Sequence, residues 1–434
     1  MATADVIIIG TGVIGSAIAL ELARAGRKVV SVDRNRQVGH GSTAASSAVV
    51  RTFYSTWDGT ALAHEGFHHW QDFANDLDLP AGNPVAEFRP IGCLIMHTEQ
   101  NQSMAPAKAH ADVLGIPHED WSADDLAHHL PAYDFASFAP PKPMDHAAFG
   151  EPNGDSITGA TFWPRSGYVN DPALAAQNLA SAAAHYGATR RMGETVTGIL
   201  KSSGRVAGVE LATGEKIHAP VVINVAGPAS SHINHLAGVG NTMGIATRAV
   251  QQEVVHLKAP PKMWDGHTPM LISDGDIGCY CKPDGTDQLF IGTEGPACDP
   301  HVMVADEAHF ERQFSDQWTL QAMRYGQRAP QVGIPGQASG IVDLYDASDD
   351  WIPIYDKSDL PGFFMACGTS GNQFKNAPVV GKIMAALIAH EEAGNDHDKN
   401  PLRFTLPKTD VPIDTGFYTR KRKGHGESSF SVLG

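Results

Sequence analysis

Cysteine is scarce in this chain. There are five in 434 residues (Cys93, Cys279, Cys281, Cys298 and Cys367), an odd number and scattered. That excludes a disulfide framework and fits a reducing compartment. Cys279-Tyr-Cys281 lacks the spacing of a zinc site, and strand alternation would point both thiols the same way, so two packed thiols are expected. Long hydrophobic runs are missing too. No stretch of about 18 apolar residues occurs, so no membrane span is expected. No basic n-region precedes the first apolar run, so no secretory leader is expected, and the cytoplasm is the expected location. Basic charge is in deficit: 32 Lys and Arg against 48 Asp and Glu give a formal charge of −16, which speaks against a nucleic-acid partner. Charged residues make up only 18% and apolar ones 42%, a composition for a sizeable core rather than for disorder. The length accommodates two or three domains.

Glycine, by contrast, is plentiful and placed. An apolar β-branched run, Val6–Ile9, reads as a strand buried on both faces. It leads into Gly10-Thr-Gly12-Val-Ile-Gly15 and then a helical apolar pattern that Gly26 ends. Gly10 makes the tight turn, Gly12 lets backbone approach a pyrophosphate, and Gly15 permits close helix–sheet packing. Val13 and Ile14 offer the free N–H groups of the helix N-terminus to phosphate. A second strand, Lys28–Val32, closes on Asp33, about 20 residues beyond the first glycine, where an acid takes ribose hydroxyls. Strand, glycines, helix, strand and acid in this order specify a dinucleotide site, and the acid favours FAD or NAD over NADP. Arg34 adjoins that site. The segment 39–48 follows, with Gly41, Ser42, Thr43, Ser46 and Ser47 suited to close approach of a diphosphate.

Further along, residues 60–77 read as an amphipathic helix carrying His64, His68 and His69, which are expected to be solvated or packed. From 81 to 164 prolines and glycines break the chain often. Asp171 or Asn170 caps an Ala-rich helix over 173–186, with Pro172 in its first turn. A three-stranded meander occupies 194–217 and contains Val196, and Val221–Val225 is a buried strand ending in Ala226 and Gly227. Strands recur at 251–257, 277–281 and 288–292. Gly340–Asp346 and Gly362–Cys367 are expected as the last strands of the first domain. A second glycine-rich turn then runs through Gly368, Ser370, Gly371, Asn372, Gln373, Phe374 and Lys375 into a helix over 379–390. The tail 400–434 has no clear pattern, and its basic run Arg420–Lys423 reads as a solvated strip. The expected fold is α/β plus α+β: a Rossmann-like dinucleotide domain (1–80, 165–240, 333–400) with an inserted mixed or antiparallel-sheet substrate domain (81–164, 241–332), then the tail (401–434).

These motifs resemble the D-amino-acid oxidase superfamily of FAD-dependent oxidoreductases, over roughly residues 1–400. The sarcosine oxidase and dimethylglycine dehydrogenase branch is the most similar. The most specific piece is Gly371-Asn-Gln-Phe-Lys375-Asn-Ala-Pro378, similar to the family's S-G-H-G-F-K-x-x-P signature, which lies against the flavin. The resemblance implies that the two glycine turns hold FAD, with Val196, Ala226 and Gly227 at the same cofactor. It implies that Lys375 and Arg51 bind a substrate carboxylate and that the Tyr280 hydroxyl lines the substrate pocket. The family's covalent flavin anchors would fall near 346–352 as cysteine and near Ala44–Ala45 as histidine. Neither residue is there, and His40 is in a different register, so FAD is expected to be non-covalent. Phe290 falls where sarcosine oxidases carry an oxygen-promoting lysine, which favours a dehydrogenase over an oxidase. The implied reaction is oxidation of the C–N bond of an amino acid or N-alkyl amino acid by hydride transfer, followed by imine hydrolysis. The acceptor is oxygen, a quinone or an electron-transfer protein. The alternatives are an FAD-dependent 2-hydroxy acid dehydrogenase and an FAD-binding subunit of a larger dehydrogenase. An oligomer is possible and no metal is expected.

Overall fold

The computed structural model describes residues 2–79, 82–426 and 428. The expected domain boundary at Pro80 and Ala81, and the end of the tail, lie outside the described residues.

Two sheets dominate. The first has six strands in the order Thr189–Met192, Val29–Asp33, Val6–Ile9, Val221–Asn224, Phe363–Cys367 and Ile354–Lys357; the first five run parallel and the last antiparallel. Val6–Ile9 is buried at every position, as a central strand must be when both faces are covered: Val6 and Ile8 join the core built with the helices, and Ile7 and Ile9 the core built with the meander strands. Helix Val13–Arg24 packs against helices Pro172–His185 and Ala377–Glu392. Glycine makes these approaches possible. A Cβ on Gly15 would stand 2.2 Å from the Gly10 carbonyl oxygen, and one on Gly381 would stand 2.6 Å from that of Ala17. Asp171, not Asn170, caps the Ala-rich helix: its carboxylate accepts from the Leu174 N–H at 2.8 Å. The meander forms a separate four-stranded sheet with Ala2–Thr3.

The second sheet has nine strands and is mostly antiparallel, with one parallel pairing, between Leu271–Asp274 and Cys93–Met96. Its centre includes the long strand Thr247–Lys258, beside Gln288–Thr293 and then Cys279–Asp284. One expectation fails here. Gly340–Ser348 is not a strand of the first sheet; it pairs antiparallel with Thr247–Lys258 along nine residues of the second. A β-branched, apolar run has no mark of which sheet it will join, and the long partner strand offers the larger set of backbone hydrogen bonds.

Two helices went unread in 81–164: Ala105–Leu114 and Ala123–His129. Pro106, one of the prolines of this stretch, sits in a first helical turn, where its missing N–H is no loss. The helix read over 60–77 is two pieces, Trp57–Gln71 and Phe73–Asp76, interrupted at Asp72. His69 there is packed, its Nδ1 2.7 Å from Asp76. Cys279 and Cys281 are both buried thiols, and all five cysteines are free.

The basic run of the tail is corrected as well. Lys421 and Lys423 are exposed, but Arg420 is fully buried. Its guanidinium donates to Asp356 at 2.9 Å, to Asp398 at 2.9 and 3.0 Å, and to Asp359. Arg422 pairs with Asp350 at 2.7 Å. The tail also clamps helix Trp57–Gln71: the Lys408 and Thr409 N–H groups donate to Glu65 at 2.8 and 2.9 Å. Among the described residues no helix is long and apolar enough to cross a membrane.

Candidate active site

The two glycine turns, distant in sequence, line one cavity of about 700 Å³ between the six-stranded and nine-stranded sheets. That size is within the range of small-molecule sites. Of the residues read from sequence, Gly368 and Ser370 alone do not line it. Those two shape the turn from beneath. The Gly368 N–H donates to Asp346 at 2.6 Å, and the Ser370 hydroxyl accepts from the Ser348 N–H at 3.2 Å.

At one end of the cavity the strand Val6–Ile9 meets the helix Val13–Arg24. Gly10 has φ +116°, and a Cβ there would sit 2.2 Å from the Val225 carbonyl oxygen, so only glycine fits between the two strand ends. The helix begins at Gly12, which has no side chain to cap it. Thr43 meets it instead, its hydroxyl accepting from the Val13 N–H at 3.1 Å. Asp33 is anchored across the turn, accepting from the Thr11 N–H at 2.7 Å, the Thr11 hydroxyl at 2.8 Å and the Asn35 N–H at 2.8 Å.

At the other end stand Arg51, Tyr280, Glu294 and Lys375. Arg51 is 4% exposed, and its guanidinium carbon lies 4.2 Å from the centre of the Tyr54 ring. Lys375 is also buried, and its ammonium position is fixed by neutral oxygens: it donates to the Tyr54 hydroxyl at 2.8 Å and to the Asn372 carbonyl. Burial and then the Arg51 charge hold its pKa well below the ordinary lysine value. Its turn is gripped from behind by helix Trp57–Gln71. The Trp70 indole donates to the Lys375 carbonyl at 2.8 Å and its ring stacks on Phe374 at 5.0 Å. A Cβ on Gly66 would lie 2.4 Å from that same carbonyl, so the helix approaches this closely because it carries glycine there. Tyr280 lies over Gly292 of the neighbouring strand, with its hydroxyl 3.4 Å from that of Ser47.

Sequence reasoning missed Tyr54 and Glu294. Tyr54 does not line the cavity itself but holds both cations. Glu294 is a buried carboxyl bonded to the Ser273 hydroxyl. Burial pushes it up to about 8; the Ser273 bond and the Arg51 charge pull down, while Asp274 pushes up. A signal for Glu294 was present. It follows an apolar strand at the parity of Gly292, the residue that faces Tyr280. Asp346, beneath the late turn, is likewise raised by burial to about 7, with the Gly368 N–H opposing.

Phe290 does not stand over the cavity. It stacks on His256 at 4.1 Å and faces Lys282, its cross-strand partner, whose ammonium is 5.0 Å from the ring centre and 4.3 Å from that of Tyr168. Phe290 is therefore not a missing charge over the cavity: a lysine, Lys282, stands directly beside it, and its identity does not bear on the electron acceptor.

Comparison with known proteins gives a consistent picture. A family described as "FAD dependent oxidoreductase" (DAO) matches residues 5–387. The sarcosine oxidase subunit beta of Rhodobacter capsulatus is 24% identical over 89% of this chain and 84% of its own. The glycine oxidase of Geobacillus kaustophilus is 22% identical over 90% and 94%, and its crystal structure superposes with TM-score 0.71. The L-proline dehydrogenase of P. horikoshii superposes with TM-score 0.74 at 18% identity, covering 96% of this chain and 97% of that one.

Proposed function

The chain belongs to the FAD-dependent oxidoreductase family matched over residues 5–387, and within it we propose that it oxidises the C–N bond of an amino acid or N-alkyl amino acid. The observation that carries this reading is one cavity end with two buried cationic side chains, Arg51 and Lys375, beside a buried carboxyl, Glu294. A zwitterion presents the complementary charges. The matched proteins named for sarcosine, glycine and L-proline support the same substrate class.

The residues at the glycine-lined end fit FAD. Gly10 and Gly12 put no side chain over the helix N-terminus, where the diphosphate would sit beside the Thr43 hydroxyl that meets the Val13 N–H, and Asp33 stands at the ribose position. The late turn through Gly371–Lys375 would meet the flavin ring, held non-covalently. Bound there, FAD supplies the acceptor for the hydride that leaves the substrate carbon.

The rest is placement and proton traffic. Arg51 pairs with the substrate carboxylate, in the fork geometry suited to it. The incoming anion offsets the Arg51 charge on Lys375, which favours the lysine's ammonium form and gives the carboxylate a second contact. Tyr54 fixes the direction of both. Glu294, once ionised, takes a proton from the substrate ammonium and leaves the neutral amine from which hydride can depart. Tyr280 closes the pocket wall. With carboxylate and amine both held, the reacting C–H has one orientation, which is the main rate gain available to such a site. The imine product hydrolyses in water.

The test is anaerobic mixing of the FAD-loaded protein with glycine, sarcosine and L-proline, and separately with 2-hydroxy acids. Bleaching of the flavin by the amino acids, lost in Arg51→Ala, is the expected result. Bleaching by 2-hydroxy acids only, or unchanged bleaching in the variant, rejects the reading. Repeating turnover with oxygen, a quinone analogue and an electron-transfer flavoprotein decides the acceptor.

A further inference from the structure

Outside the cavity, three imidazoles converge. His128 and His129 end the helix Ala123–His129, and His267 lies between strands Thr247–Lys258 and Leu271–Asp274. Their ring centres form a nearly equilateral triangle: 4.9 Å between His128 and His129, 4.8 Å between His128 and His267, and 4.9 Å between His129 and His267. One nitrogen from each lies within 4.8 Å of the other two. None of the three lines the catalytic cavity.

We propose that these three histidines form a binding site for a divalent transition metal, with Zn²⁺ as the reference ion. Three features carry it. First, among the described residues the ring nitrogens of all three have no hydrogen bond or ion pair, although His129 and His267 are half-buried. Second, the rings stand edge-on to one another, with interplanar angles of 72°, 78° and 64°. Stacked rings would point their nitrogens apart, whereas edge-on rings can share a centre. Third, two of the three are held. His129 stacks on Trp121 at 4.4 Å, and Trp121 in turn on Phe162 at 4.7 Å. His267 closes a turn, its N–H donating at 2.7 Å to the carbonyl of Trp264, which is buried in the core.

Tetrahedral Zn²⁺ with bonds of about 2.0–2.1 Å places ligand nitrogens roughly 3.4 Å apart. The nitrogens here lie within 4.8 Å of one another, so modest ring rotation, led by the exposed His128, brings them to that spacing. Imidazole suits Zn²⁺, Ni²⁺ and Cu²⁺. Three ligands leave one position for water. Because the ligands come from two segments distant in sequence, the ion would tie the loop before Leu271 to the helix that packs on strands Glu119–Ser122 and Gly159–Trp163. The site would thus be a clamp on the nine-stranded sheet and not part of the redox reaction.

The experiment is calorimetric titration of chelator-stripped, FAD-loaded protein with Zn²⁺, followed by Co²⁺ titration read by visible absorption. The expected result is one site removed by His128→Ala and weakened at least tenfold by His267→Gln, with a tetrahedral Co²⁺ spectrum that both variants lose. FAD content and amino-acid turnover stay unchanged in His128→Ala, since that side chain is exposed. No Zn²⁺ uptake by the unaltered protein overturns the proposal. So does uptake of equal affinity in both variants, which would assign the ion to other histidines.

Discussion

Arg420 and Lys375 are both buried cations, and they are held in opposite ways. Arg420 is enclosed by the carboxylates of Asp356, Asp398 and Asp359. Arg328, with Asp274 and Asp276, and Arg324, with Asp299, repeat that pattern on the helix Asp316–Arg328 beside the second sheet. Lys375 is bonded to neutral oxygens of Tyr54 and Asn372, and Glu294 to the neutral hydroxyl of Ser273. The first arrangement is complete, so its charges are compensated inside the fold. The second leaves ionisable groups at a cavity wall with their titration displaced, which is the electrostatic signature of a site that completes itself with a ligand.

The comparison can be broken by experiment. The largest effect expected is at the closed cluster. Arg420→Met leaves Asp356 buried without its guanidinium and costs about 3–5 kcal/mol of stability in denaturant unfolding; kcat/KM of the folded fraction stays unchanged. Arg51→Ala does the reverse. It lowers kcat/KM for amino acids by about 10²–10³-fold, the scale of losing one partner of a buried charge pair (roughly 3–4 kcal/mol), while the unfolding midpoint moves little. If both variants lose stability and activity together, the distinction fails.

Gly66→Ala probes the contact that positions the late turn. The added methyl meets the Lys375 carbonyl, and overpacking of this kind costs about 1–3 kcal/mol. Weaker FAD retention should accompany it, measured by flavin released on dilution. Tyr54→Phe removes a single hydroxyl and is expected to cost about 1 kcal/mol, seen as a several-fold rise in KM.

Glu294 gives the pH test. Its folded pKa is raised to about 8, so the neutral carboxyl is the form the fold prefers. The stability it contributes is present below the ordinary carboxyl range and is lost as pH rises through about 8. Glu294→Gln removes that part of the slope, and Asp346, raised to about 7, keeps the rest. In kinetics kcat/KM should rise through about pH 8 in the unaltered protein and lose that rise in Glu294→Gln. An identical profile in the variant would remove Glu294 from proton transfer.

Much of this was readable before any coordinates. Val6–Ile9 is β-branched and apolar at every position, and Gly10 and Gly15 stand where only glycine fits, so the strand and the turn after it can be read locally. The Asp171 cap and its Pro172 are of the same kind. The misreadings share a physical cause. Gly340–Ser348 was placed in the wrong sheet because pairing partners are non-local. Arg420 and Arg422 read as solvated because the acids that enclose them lie tens of residues earlier. Phe290 was given a place in the cavity by alignment, while strand register turned it toward Lys282.

Amino-acid order alone thus settled the two glycine turns, because a turn with positive φ is a property of a few adjacent residues. Bringing those turns to one cavity, and adding Tyr54 and Glu294 to it, was decided by sheet pairing and helix packing. Charge compensation at burial depends on distance in space, and distance along the chain does not encode it.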